Sequence, residues 1–162
     1  MGDLADDAES SDATLFSRLY PGLRRFAAAC SLAHQDPDDL VQEALARALT
    51  RGPLRTLNSP DAYLRTAIRN QIKNELRSRE RGGRASRRLG AAATVVDTYP
   101  SDLSALAHLT VDERAVLFLV DIESTPRDAT ARLLGWSRSK TDRRLRSARS
   151  TVRAVLEKEM KA

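Results

Sequence analysis

The sequence predicts an all-α chain, with two small helical domains joined by a flexible linker and a helix-turn-helix in the second. Three observations predict it. Apolar residues recur at three- and four-residue spacing through most of the chain, and no run alternates with a period of two. The periodic stretches open on helix-start signals. Between them, Gly82, Gly83, Gly90 and Pro100 break the pattern, so residues 82–102 read as a linker.

The elements follow in order. Residues 1–12 hold five acids and no base, and read as a disordered acidic tail. From about Ala13, Leu15, Leu19, Leu23, Phe26 and Cys30 share one helical face. Asp36-Pro37 starts the next helix: Asp36 can cap, Pro37 suits the first turn, and Asp38 and Asp39 complement the positive helix end. Leu40, Val41, Ala44, Leu45, Ala48 and Leu49 form its apolar stripe, and Gly52-Pro53 closes it. Ser59-Pro60-Asp61 starts a third helix whose stripe of Leu64, Ala67, Ile68, Ile72 and Leu76 continues to about Arg81.

The second domain starts near residue 103. Thr110 and Glu113 have capping-box spacing, with Ala115, Val116, Leu119 and Ile122 as the apolar face that follows. Thr125-Pro126 opens a helix to Leu134, Gly135 supplies a turn, and Ser137 or Ser139 caps a last helix bearing Leu145, Ala148, Val152 and Val155. Folded pieces under about 80 residues are marginal alone, so a partner that stabilises their arrangement is expected.

Composition removes several classes. A single cysteine excludes an intramolecular disulfide, and with only two histidines it leaves no structural zinc set. Cys30 lies in an alanine run and reads as a buried small hydrophobe. His34 and His108 are isolated, so no nucleophile and base pair is visible; no catalytic residue, metal or cofactor is expected, and the chain reads as no enzyme. No apolar stretch reaches bilayer length and no signal-peptide pattern opens the chain, so a cytoplasmic protein with no membrane association is expected.

The net charge of +5 hides an asymmetry. Residues 1–43 carry −6, leaving +11 on the remainder, and 23 of the 27 bases are arginine, whose planar fork suits phosphate. Two blocks, Arg65–Arg88 and Arg127–Arg153, each carry +7. The first contains Tyr63 at its edge with Asn70, Gln71 and Asn74, groups able to stack on or hydrogen-bond to exposed bases. In the second, a short helix, a Gly turn and a longer basic helix form a helix-turn-helix candidate, whose second helix would enter a DNA major groove. The Pro37–Leu49 helix is the opposite: Asp38, Asp39, Gln42 and Glu43 beside Leu40 and Val41 suit a basic protein surface, or reflect the helix dipole alone.

At these residues a resemblance enters. DPDDLVQEALARAL (Asp36–Leu49) resembles the polymerase-binding helix of bacterial RNA polymerase sigma factors. AYLRTAIRNQIKNELRSRER (Ala62–Arg81) resembles the family's next segment, and LTVDERAVLFLVDIESTPRDATARLLGWSRSKTDRRLRSAR (Leu109–Arg149) its C-terminal domain. The length, with no intervening domain, is similar to the extracytoplasmic-function group of the sigma-70 family. The resemblance implies a region 2 domain at 13–81 and a region 4 domain at 103–162. It implies that Asp38, Asp39, Leu40, Gln42, Glu43 and Arg47 dock on the clamp helices of the largest subunit of core RNA polymerase, with a further contact to the flap of the second subunit. It implies that Arg55, Asn58, Tyr63, Arg69, Asn70, Lys73, Asn74 and Arg77 hold the melted −10 element of promoter DNA. Ser137, Arg138, Ser139, Lys140, Arg143, Arg144, Arg146 and Arg149 would read the −35 element. An anti-sigma factor is a further implied partner. Where the family often has apolar residues this chain has Thr125, Thr130 and Thr141, which implies a weaker helix-turn-helix core, and Asp142 stands where a base is common. The alternative is a stand-alone helix-turn-helix regulator that binds duplex DNA without polymerase.

Overall fold

The computed structural model describes residues 11–88 and 104–162. Among them all regular structure is helical: α1 (Asp12–Cys30), α2 (Pro37–Leu49), a 3-10 turn (Leu54–Thr56), α3 (Pro60–Arg88), a short α4 (Ser104–Ala107), α5 (Val111–Leu117), a π-helical turn (Phe118–Ile122), α6 (Arg127–Leu134) and α7 (Arg138–Lys161).

Local chemistry sets most boundaries. Asp36 accepts a bond from the Asp38 amide at 2.8 Å ahead of Pro37. The Thr110–Glu113 capping box is complete, the Thr110 amide donating to Glu113 at 2.9 Å and the Glu113 amide to the Thr110 hydroxyl at 3.3 Å. Ser137, not Ser139, caps α7 by accepting from the Lys140 amide at 3.2 Å. Gly135 ends α6 with φ +65°, a left-handed conformation that costs a residue with a Cβ about 1 kcal/mol. Gly135→Ala is therefore expected to lower stability by about that amount, read as a lower urea midpoint.

Four expectations shift. The tail was expected to run through Asp12, but Ser11 caps α1, and the Asp12 carboxylate accepts from the Leu54 and Arg55 amides at 3.0 and 3.1 Å. Residues 1–10 lie outside the described residues. The third helix was expected to stop near Arg81; it continues to Arg88, because the arginines around Gly82 and Gly83 are good helix formers. The rest of the expected linker lies outside the described residues. Ile122 was expected on the apolar face, yet it is 70% exposed. The π turn inserts an extra residue into the helical period and rotates Ile122 outward, leaving Phe118 and Leu119 buried. The threonines cost less than expected: Thr130 and Thr141 are fully buried, and their hydroxyls donate to the Thr125 and Ser137 carbonyls.

The two halves pack together. Leu23, Phe26 and Cys30 of α1, Val41 of α2 and Leu64, Ile68 and Ile72 of α3 share a hydrophobic cluster with Val116, Leu119, Leu134 and Leu145 of the second half. Phe26 meets Phe118 edge-on across the seam at 6.3 Å. Polar groups close it: buried Arg114 donates to the carbonyls of Cys30 (3.4 Å) and Ser31 (3.0 Å), and Glu123 pairs with Arg25 (3.3 Å) and Arg65 (3.6 Å).

Candidate functional site

The acidic face is the N-terminal part of α2. Asp39, Gln42 and Glu43 are exposed there, and Arg47, exposed in the last turn, pairs with Glu43 one helical turn away. Leu40 is only 6% exposed and belongs to the core that seats the helix. Asp38 is turned back onto α1, where it accepts from the Tyr20 hydroxyl and from Arg24 at 2.9 Å. The Tyr20 hydrogen bond and then the Arg24 guanidinium hold the Asp38 carboxyl below the usual carboxylate range, and the same contact raises the Tyr20 phenol. A depressed carboxyl stabilises the fold above its unfolded pKa and loses that contribution as pH falls through its folded value. Asp38→Asn should thus lower the urea midpoint at pH 7, and the difference from wild type should vanish as pH drops below about 3.9 and on through the depressed folded value.

The proposed −10 residues fall into two groups. Arg55, Asn58, Asn70, Asn74 and Arg77 are exposed, and Tyr63 is half-buried with Arg51 over its ring at 6.0 Å. Arg69 and Lys73 face the second half instead. Arg69 is 8% exposed, donates to the Leu134 carbonyl at 3.3 Å, lies 3.6 Å from Asp112 and stacks over Trp136 at 5.0 Å. Desolvation lowers its pKa, and Asp112 opposes that shift. Lys73 pairs with the same Asp112 at 3.3 Å.

The proposed −35 residues lie at the start and along the outer face of α7. Ser139, Arg143 and Arg146 are exposed. Arg138 pairs with Asp128 and, at 3.5 Å, with Asp142, which also takes Arg127 at 3.4 Å. Arg149 makes a bidentate pair with Asp121 at 2.6 and 3.1 Å. Arg144 is half-buried, and Ser137 is occupied as the cap. Lys140 stacks on Trp136 at 4.6 Å, and desolvation lowers its pKa. The Trp136 indole is therefore held by two cations, Arg69 from α3 and Lys140 from α7.

Sequence reasoning missed Asp112, Arg114, Glu123 and Trp136 as the residues that join the halves. Trp136 could have been suspected, being the single tryptophan and sitting in the turn of the helix-turn-helix. Asp112 reads in sequence only as a first-turn acid. Cys30 is fully buried, and desolvation pushes its thiol up to about 12, well away from reactive thiolates. Among the described residues, no group of three His, Cys, Asp or Glu side chains could hold a metal, and no helix is long and apolar enough to cross a membrane.

Comparison with known proteins bears on this arrangement. Residues 15–82 match the Sigma-70 region 2 family. The chain is 30% identical over 146 residues to the ECF RNA polymerase sigma factor EcfG of Rhodopseudomonas palustris (strain TIE-1), covering 84% of this chain and 80% of that one. The fold is similar to that of the sigma factor RpoE of Bartonella quintana, solved with the anti-sigma factor NepR. The TM-score is 0.67 at 24% identity, over 90% of this chain and 96% of that one. With its acidic α2, two Arg-rich helices and an all-helical fold shared by both halves, the chain belongs to the extracytoplasmic-function sigma factors of the sigma-70 family and acts in transcription initiation as a partner of core RNA polymerase and promoter DNA.

Proposed function

We propose that this sigma factor docks on the clamp helices of the polymerase largest subunit through Asp39, Gln42, Glu43 and Arg47, with Asp38 and Leu40 positioning the helix. The observation that carries this reading is that these four side chains are exposed while the halves are closed, on a helix whose acids oppose the charge of the rest of the chain. Promoter contact then falls to the basic helices: Arg55, Asn58, Tyr63, Asn70, Asn74 and Arg77 with Arg69 and Lys73 at the melted −10 element, and the exposed face of α7 at the −35 element. Bond-making chemistry belongs to the polymerase in this reading.

Promoter reading by both helices requires the halves to part. Two elements about 25 base pairs apart are separated by ~85 Å at 3.4 Å per pair. Arg69 and Lys140 both lie within 5.0 Å of one indole. The closed arrangement is a holding state, and a protein of the anti-sigma kind found with the Bartonella relative would act by binding it.

Reconstituted transcription tests the proposal. Core polymerase plus this chain should give a specific start on duplex promoter templates, and a stand-alone regulator would give none. Salt dependence adds a check. Arg146→Ala, which removes an exposed base of α7, should weaken −35 duplex binding across sequences and reduce the slope of log affinity against log salt by about 1.

A further inference from the structure

A groove of about 330 Å³ runs between α2 and α3. One wall carries Leu40 with Glu43 and Arg47 of the proposed polymerase face, and the other carries Gln71, Asn74 and Glu75. Gln71 is only 7% exposed, yet neither its amide nitrogen nor its amide oxygen has a hydrogen-bond partner. Buried amides are nearly always satisfied, so a side chain with both ends unmatched needs an explanation. Its sequence neighbours Asn70 and Asn74 suggest base reading, but Gln71 stands on the stripe of α3 that lines the α2 groove. Arg69 and Lys73 occupy the stripe facing the second half.

We propose that Gln71 is a recognition residue for polymerase, its amide, shut from solvent in this arrangement, turning into the groove to hydrogen-bond an amide- or guanidinium-bearing side chain of the helix docked on α2. This rests on the reading of α2 as the polymerase face. The groove offers a nucleic-acid strand no free base: its one base, Arg47, is paired with Glu43, and its other acid, Glu75, is paired with Arg79 at 3.2 Å. Continuity favours the docked helix too, since the groove shares Glu43 and Arg47 with the proposed interface. It is also open while the halves are closed, so polymerase can engage it before the promoter helices separate. A partner offering a donor and an acceptor would satisfy both ends of the amide at once, something an apolar partner could not do.

The test measures affinity of the full-length chain for core polymerase and, in parallel, its urea midpoint. Gln71→Leu is expected to weaken core binding about tenfold while leaving the midpoint equal or higher, because the unmatched amide is gone. Gln71→Met is the second variant should leucine pack poorly. Asp39→Arg with Glu43→Arg serves as the control for the docking face. Loss of binding in that control with unchanged binding in both Gln71 variants overturns the role of Gln71 alone. Unchanged binding in the control overturns the docking reading beneath it. If the Gln71 variants keep core affinity but the assembled holoenzyme loses affinity for single-stranded −10 DNA, the groove reads nucleic acid and the proposal is wrong.

Discussion

Replacing Asp39 and Glu43 together by arginine is expected to abolish co-purification with core polymerase, weakening the complex by about a thousandfold. Both side chains are exposed on α2, so each reversal puts a positive charge where the proposed partner is basic. Like charges brought together in an interface cost several kcal/mol, and about 4 kcal/mol corresponds to a thousandfold. The cost to the fold is far smaller. Asp39 contributes a first-turn dipole interaction of roughly 0.5 kcal/mol, and the Glu43–Arg47 pair contributes about as much. Loss of binding with a near-native urea midpoint is therefore the expected pattern. A complex that survives the double reversal would sink the assignment of α2.

Removing Asp112 has the second large expected effect. Its carboxylate is 9% exposed and balances both Arg69 and Lys73 across the seam. In Asp112→Ala the buried Arg69 keeps its charge and loses its counter-ion, a change worth about 3 kcal/mol. The open arrangement should gain roughly a hundredfold in population relative to the closed one. Two readouts follow. The radius of gyration from X-ray scattering should rise, and Trp136 emission should shift as Arg69 leaves the indole face. Single-stranded DNA should also bind more tightly, since Arg69 and Lys73 become available to phosphate. An unchanged radius with only a lowered urea midpoint would mean that Asp112 holds the fold and does not set the equilibrium between arrangements.

Legibility in sequence followed the range of the interactions. Starts and stops made by neighbours within four residues were readable: Asp36 with Pro37, Thr110 with Glu113, Gly135 at φ +65°. So was the burial of Leu23, Phe26, Ile68 and Leu145, which follows from helical spacing. The seam was not. The Arg114 bonds to the Cys30 and Ser31 carbonyls join positions more than eighty residues apart, and no local pattern encodes them. Arg69 and Lys73 look in sequence like any other members of a basic helix, and only packing separates them from Asn70 and Arg77. Asp142 shows the same limit: an acid in a basic helix, it gains a purpose once Arg127 and Arg138 are seen around it. The π turn escaped because its sequence, FLVDI, is compatible with an ordinary helix.

The Asp12 carboxylate, which accepts the Leu54 and Arg55 amides, also fixes the start of α1 against the loop after α2. Residues 1–10 carry four acids and join the chain next to that anchored point, beside the loop carrying Arg55 and Asn58. Acids joined to the chain at that point repel approaching DNA, with a strength set by ionic strength. Deleting residues 1–10 while keeping Asp12 should therefore raise nonspecific DNA affinity at low salt and leave it unchanged at high salt.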